Sequence, residues 1–573
     1  MMFEVNGGRL AAIALKKLGI NRIFGLIGYQ ATYLFDGFDE EGIEIFDVRH
    51  EQAAVHMADG AAQVTGAVAV AVTIGGPGFT NAISAVLKAQ TANSPLVVIT
   101  GAAEPFKRDI GAMQEIDHWN MVKDYVKWSV EVPTAQRIPE YIYKAVQRAV
   151  NGKPGVVVLA MPVNILSEKV LLENIDWPGD EITKRKVIHP EVADVKRMLD
   201  LLSSSKKPII IAGSGMLYSH AEEELRAFVE KSGIPVYTIN AGRGSVPDGH
   251  ELAFGLGRPL EGGPQLYGFK NADTVIIMGL KLNFTIGYGK PPIFDARQNF
   301  VQIDIDPEEL GRSGRKIDVG IVGDLEETLK LLLEEVPNFS LPSFDQWKEE
   351  LRAREAEYWQ EFNKTYLGYS GAKVNPVELI NLIQSELPPD FISVVDGSNA
   401  LFWGLLLLKC TGAGHQLIGP SGILGPMGTG LPLALGAKAA QPDKTVLLYT
   451  GDGSLGFNLA ELDTAIRLGI KIIIVVHNDG AWGLPKDTQN RLFKKRNYAV
   501  DLGITRYDRI VEALGGQGEL VTSREEILPA MRRALEAEKL ACINVIIEES
   551  IMSPGTRLLS LIETDNSGKA DKG

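Results

Sequence analysis

Cysteine is nearly missing from this chain of 573 residues: Cys410 and Cys542 are the only two, far apart and outside any CxxC or Cys/His spacing. That excludes a disulfide framework or a thiolate zinc site and suits a reducing compartment. Long hydrophobic runs are also missing, and without about 20 uninterrupted apolar residues no membrane-spanning helix is expected. The opening MMFEVNGGRLAAIALKKLGI carries Glu4 and lacks an apolar stretch ending in a small-residue cleavage site, so no export signal is read and a cytoplasmic protein is expected. Positive charge is in deficit. Lys and Arg total 58 against 72 Asp and Glu, the formal charge is -14, and no basic run offsets it, which disfavours nucleic acid as a partner. No GxGxxG opens a helix near the N-terminus, which argues against a nicotinamide-dependent oxidoreductase.

What is present is a globular, turn-rich composition, with 45% apolar residues, 60 Gly and 29 Pro. Short apolar runs bounded by Gly, Pro or Asp recur along the chain: PLVVIT, GVVVLAMP, PIIIAGS, TVIIMG, FVQIDIDP, FISVVDGS, TVLLYTGDGS, KIIIVVHND and ACINVII. Runs of this kind read as strands buried on both faces, hence parallel sheets covered by helices, and the fold class is α/β. The length exceeds one core and suits three domains at about 100 to 200 residues each. Polar stretches at about 167–192 and 336–374 read as linkers, the second with an exposed helix. The blocks are 1–170, 190–335 and 373–552, followed by a tail, 553–573, whose NSGKADKG end reads as frayed.

The sharpest signal is TVLLYTGDGSLGFNLAELDTAIRLGIKIIIVVHNDGAWG. One strand ends at Gly451-Asp452-Gly453-Ser454, and a second ends at Asn478 after the length a helical crossover requires. Asp452 and Asn478 are therefore expected side by side at the carboxyl edge of a parallel sheet. Magnesium takes oxygen ligands in a near-octahedral array and keeps phosphate oxygens among them. Asp452, the Asn478 amide oxygen and the Gly480 carbonyl are the expected protein ligands. Gly451 and Gly453 permit a tight turn toward phosphate, and Ser454 begins the following helix. A lone GDG is most often a plain strand-to-helix turn; the matched asparagine favours the functional reading. The stretch resembles the diphosphate-binding signature of thiamine-diphosphate enzymes.

That resemblance covers nearly the whole chain and implies a pyrimidine-binding block, a middle block and a block binding diphosphate and magnesium. In the resembled family a glutamate at the place of Glu51, in DVRHEQAAVHMADG, hydrogen-bonds the aminopyrimidine ring and promotes proton removal from the thiazolium carbon. Such a carboxyl must share its proton, which apolar burial favours. On its own, Glu51 reads as a helix-start carboxylate favoured by the dipole. Gly28, Pro77 and Asn81 match the family's cofactor contacts from the first block. Gly397, Ser398, Asn399 and Ala400 match those at the diphosphate, with Ala481 and Trp482 after the metal asparagine. In LGPMGTGLP the resemblance makes Met427 the wedge under the bent cofactor and the Gly425 carbonyl an acceptor for the pyrimidine amine. A buried methionine is otherwise ordinary core filling.

Within the family the chain is similar to benzaldehyde lyase and the acetolactate synthase-like group. The implied activity is cleavage or formation of a carbon-carbon bond beside a carbonyl, on 2-hydroxyketones, aldehydes or 2-oxoacids. Gln114 matches the active-site glutamine of both groups, and Gln30 stands where benzaldehyde lyase has histidine; both are expected over the reacting carbonyl. Gln30 cannot act as acid or base near neutral pH. Val163 stands where acetolactate synthases carry lysine, which argues against a true member of that group. The tail SPGTRLLSL, with Arg557, resembles 2-hydroxyacyl-CoA lyase and oxalyl-CoA decarboxylase and keeps an acyl-CoA substrate open. Ala212-Gly213-Ser214-Gly215 marks where relatives bind FAD or ADP, although two glycines there also suit a structural turn. The resemblance implies an obligate homodimer that pairs to a homotetramer. A non-catalytic binding subunit is the remaining alternative, and it predicts loss of Glu51 or of Asp452 and Asn478, all of which are intact.

Overall fold

The computed structural model describes residues 4–560 except 370, 372 and 495. Three six-stranded sheets account for the apolar runs, and every strand pairing within them is parallel. The first orders its strands Glu44–Asp47, Arg22–Gly25, Ala69–Thr73, Leu96–Ala102, Val156–Pro162, Trp128–Glu131. The third runs Gln416–Ile418, Ile392–Asp396, Val446–Gly451, Ile473–Asn478, Ala541–Ile546, Gln517–Val521. Numbered by appearance along the chain, both sheets follow the order 2-1-3-4-6-5. The middle sheet, from Pro208–Ala212 to Val319–Val322, instead follows 3-2-1-4-5-6, the doubly wound order. The α/β class expected from the apolar runs is what the chain adopts. Leu96–Ala102 and Val156–Pro162 are buried at every position, because helices cover both faces.

The described residues cluster into two compact units. One joins residues up to 186 with 420–442 and 458–470; the other contains 187–419, 443–457 and the chain from 471 onward. Two stretches of the third block thus fold with the first sheet. In that unit the helix Gly430–Ala440 packs along the helix Glu51–Thr65, backbone against backbone. A Cβ on Gly60 would lie 2.3 Å from the Leu433 carbonyl oxygen, and one on Gly436 would lie 1.9 Å from that of Met57. Glycine at both places is what lets the helices touch.

The polar stretch expected as a linker with an exposed helix contains Asp345–Tyr366, which is anchored at both ends. Trp347 and Leu351 are buried with the middle sheet, while Phe362 and Tyr366 are buried with the third. The Trp347 indole donates to the Pro208 carbonyl at 3.1 Å. These apolar positions are diluted among charges, so the stretch reads as solvated in sequence although one stripe of it is core. Residues 561–573, including the NSGKADKG end, lie outside the described residues.

Candidate functional site

A parallel α/β sheet opens a crevice at its carboxyl edge where the strand order reverses. In the first unit that point lies between Arg22–Gly25 and Ala69–Thr73, and the segments leaving these strands carry Gly28, Gln30 and the turn Gly75–Gly78. Gly75 donates its N–H to Gln30 Oε1 at 2.7 Å, and Gly76 donates to His118 Nε2 at 2.7 Å. The second bond fixes the His118 proton on Nδ1. His118 is fully buried, and burial pushes its imidazole down to about 4. Gly76 adopts φ +60, and a Cβ there would sit 2.7 Å from the Gln114 Cβ. Gln114 itself holds φ +60, a left-handed conformation that costs a side-chain-bearing residue about 1 kcal/mol.

The same turn continues into the helix Pro77–Ala92, whose Asn81 donates Nδ2 to Glu51 Oε2 at 3.0 Å. Glu51 is 7% exposed, at the start of a helix capped by the His50 ring accepting from the Gln52 N–H. One glycine turn therefore gathers Glu51, Asn81, Gln30 and Gln114. Gln30 has its amide oxygen committed to Gly75, and Nε2 lies 3.5 Å from the Met113 carbonyl. Gln30 is thus a strut of the turn. Met427 is half-buried and Gly425 exposed, in a turn whose Gly428 carbonyl accepts from Asn458 Nδ2 at 2.6 Å.

In the second unit the reversal lies between Ile392–Asp396 and Val446–Gly451. The Gly397 turn, at φ +106, faces Gly451 and Ser454. Gly451 pairs in register with His477, so Asp452 and Asn478 leave neighbouring strands at the same level. Asn478 donates Nδ2 to the Thr505 carbonyl and to Asn544 Oδ1, while its own Oδ1 is buried with no hydrogen-bond partner. Asp452 is 3% exposed; burial, then the charge of Asp479, push its carboxyl up to about 7 against the pull of nearby backbone N–H groups. Tyr507 donates to the Asp452 carbonyl at 2.7 Å, and the Trp482 ring lies on Gly453. The Gly480 carbonyl accepts from Leu502 and Gly503 at 2.7 and 3.1 Å, so contact with a cation would have to replace one of these. Ala481 donates to Asp479 Oδ1. Asn399 gives its amide oxygen to the Ser553 N–H and the Thr556 hydroxyl, fastening the tail segment beside Ala400.

His118, Asn544, Tyr507 and Asp479 were not among the residues expected from sequence. For Asn544 a signal exists, a lone amide inside the apolar run ACINVII; His118 carries none, since its role comes from a turn more than 40 residues earlier. At the middle sheet, Gly213 and Gly215 donate their N–H groups to the Met278 and Gly279 carbonyls, which ties the AGSG stretch to the end of the neighbouring strand.

Two sheets of one strand order, each with a glycine turn and a buried carboxyl at its reversal, define a cofactor-dependent α/β enzyme. The comparisons give the particular family. Residues 5–121 match the thiamine pyrophosphate enzyme N-terminal TPP binding domain, 195–332 the central domain and 396–545 the C-terminal TPP binding domain, and the chain belongs to the thiamine pyrophosphate enzymes. It is 32% identical to a probable acetolactate synthase of Mycobacterium bovis over 96% of this chain and 97% of that protein. It is 30% identical to 2-hydroxyacyl-CoA lyase 1 of Mus musculus, over 95% and 94%. It is 28% identical to a probable acetolactate synthase large subunit of Methanocaldococcus jannaschii, over 98% and 95%. Among the described residues no helix is long and apolar enough to cross a membrane.

The residues present fit the family's cofactor. An orphaned, buried amide oxygen beside a buried carboxyl is what a hard cation shared with phosphate would satisfy. Among the described residues no group of three His, Cys, Asp or Glu is gathered that could hold a metal ion, so a cation here would draw on amide, carbonyl and phosphate oxygens beside Asp452.

Proposed function

We propose that this chain is a thiamine-diphosphate- and magnesium-dependent lyase or carboligase acting on 2-hydroxyketones, aldehydes or 2-oxoacids. The observation that carries the reading is the buried, unpartnered Asn478 Oδ1 at the level of the buried Asp452. Bound thiamine diphosphate supplies a carbon nucleophile and an electron sink for bonds beside a carbonyl. Asp452 and Asn478 would hold the magnesium, with the Gly480 carbonyl as third ligand once released from Leu502 or Gly503. The turn at Gly397–Ala400 and the strand-to-helix junction at Gly451–Ser454, where the helix Asp452–Phe457 begins, would with Ala481 and Trp482 enclose the diphosphate. Glu51, oriented by Asn81, would accept and return the proton shared with the aminopyrimidine, with Gly28, Pro77, Gly425 and Met427 around the ring. Gln114, strained over Gly76, would meet the substrate carbonyl, and Gln30 would hold the turn beneath it. Glu51→Gln is expected to lower turnover about 100- to 10,000-fold while cofactor still binds, as measured by steady-state kinetics beside calorimetry. Undiminished turnover would sink the assignment of Glu51.

An acyl-CoA substrate is the second reading, favoured by the mouse relative and by the buried tail contacts at Asn399. Turnover of benzoin, pyruvate and glycolaldehyde against formyl-CoA and oxalyl-CoA separates the two: activity confined to thioesters would select the second. The protein is further proposed to be a cytoplasmic homodimer pairing to a tetramer, with the three blocks 1–170, 190–335 and 373–552 as its domains. The exposed apolar side chains of Ile27, Tyr29, Phe106, Ile110 and Met113 support a covering partner subunit.

A further inference from the structure

The stretch 458–470 belongs to the third block by sequence and to the first unit by packing. Its helix Glu461–Arg467 grips the residues immediately before Glu51. Glu461 is fully buried, and its two carboxylate oxygens lie 3.2 and 3.3 Å from the Arg49 N–H, at the residue before His50. Thr464 donates its hydroxyl to Glu461 Oε2 at 2.6 Å and fixes the carboxylate's rotation. Two side chains extend the grip: Asp463 accepts from Arg49 Nε at 2.5 Å, and Arg467 donates to the Asp47 carboxylate and carbonyl at 2.6 and 2.8 Å. Asn458, three residues earlier, holds the Gly428 carbonyl next to Met427.

A surface clasp would consist of the two exposed ion pairs alone, and such pairs contribute little. A fully buried carboxylate spent on a main-chain N–H group is a different device. That amide sits at the strand-to-helix corner two residues before Glu51, so its direction bears on where the Glu51 side chain leaves the backbone. Removing the acceptor leaves that main-chain donor without its partner.

We propose that Glu461 is a positioning residue for Glu51, holding the Arg49–His50 corner so that the Glu51 carboxyl keeps the orientation it shares with Asn81. This rests on the reading of Glu51 given above. The clamp is read first on the cofactor-free full chain, by amide hydrogen exchange and mass spectrometry. Glu461→Ala is expected to speed exchange in a peptide spanning 47–53 about tenfold, the loss of one net hydrogen bond, with the Leu96–Ala102 strand unchanged. The second readout is exchange of the thiazolium C2 proton on protein loaded with thiamine diphosphate and magnesium. Glu461→Ala should slow it about tenfold in the native background and leave it unaltered in Glu51→Gln, because both substitutions act through one carboxyl. Glu461→Gln, which keeps one oxygen acceptor, should fall between and carries both readouts if the alanine variant does not fold. Unaltered amide exchange, or equal slowing in both backgrounds, overturns the proposal. Undiminished C2 exchange in Glu51→Gln alone overturns the reading of Glu51 and leaves the clamp measured independently.

Discussion

At the residue scale, chemistry is set by what each polar atom is already doing. Asn478 has both amide protons committed, to Thr505 and Asn544, and its buried oxygen is left without a hydrogen-bond partner on the strand paired beside that of Asp452. Asn544 is itself held by the Thr505 carbonyl and Asp508 Oδ1 at 3.0 Å. Asn544→Leu should therefore free the Asn478 amide to turn and, acting only through that amide, weaken magnesium-dependent cofactor binding about 10- to 100-fold, measured by titration calorimetry. Unchanged affinity would mean the amide needs no such support. The placing of Asp452 and Asn478 on neighbouring strand ends was legible because their spacing is local to one strand-helix-strand unit. The roles of His118 and Glu461 were not, because each acts on a main-chain N–H group in a distant segment, and an acceptor for a backbone amide carries no residue-type signature.

At the scale of elements, the buried strands were readable as apolar runs, whereas edge strands such as Trp128–Glu131 and Gln517–Val521 were not. Every residue of the first and all but one of the second are partly exposed, so their side chains mix polar and apolar types. The crossing of Glu51–Thr65 with Gly430–Ala440 was also hidden, since glycines facing a carbonyl look like any other helix-interior glycines. Gly60→Ala or Gly436→Ala places a methyl within 2.3 Å of a backbone oxygen, and each is expected to cost about 1 to 3 kcal/mol in denaturant unfolding. A neutral result would show that the crossing has slack. The helices Glu51–Thr65 and Pro77–Ala92 are joined by the fully buried pair Lys88 and Asp59, with Ser94 and Gln63 also donating to Asp59. Burial opposes the Asp59 charge, and Lys88 with these donors still holds the carboxyl below its usual range. Lys88→Met leaves that charge unpaired and should cost about 3 to 5 kcal/mol, whereas a loss under about 1 kcal/mol would contradict a charged Asp59.

At the scale of the whole molecule, the first and third sheets share one strand order, and each puts a glycine turn and a buried carboxyl at its reversal point. The α/β class and the family were legible because the two motifs are intact at opposite ends of the chain; the exchange of 420–442 and 458–470 into the first unit was not, since packing partners leave no local pattern. Acid should destabilise the protein through its buried histidines. Burial pushes His56 down to about 3 and His118 to about 4, so between about 6.5 and those values the unfolded chain binds protons the folded chain refuses. Their contribution is complete above about 6.5 and falls by about 1.4 kcal/mol per pH unit for each as pH drops. Denaturant unfolding at pH 7 and 5 should show that slope reduced by one proton in His118→Phe, and an unchanged slope would refute the assignment.

The central claim, that Asp452 and Asn478 hold magnesium and through it the cofactor's diphosphate while Glu51 works at the other end, is tested most directly by titration calorimetry of thiamine diphosphate into the cofactor-free full chain. The account predicts saturable binding with magnesium, its loss in excess chelator or in Asp452→Ala, and its retention in Glu51→Gln. Binding in Asp452→Ala as tight as in the native chain, or no binding in the native chain with magnesium present, would contradict it.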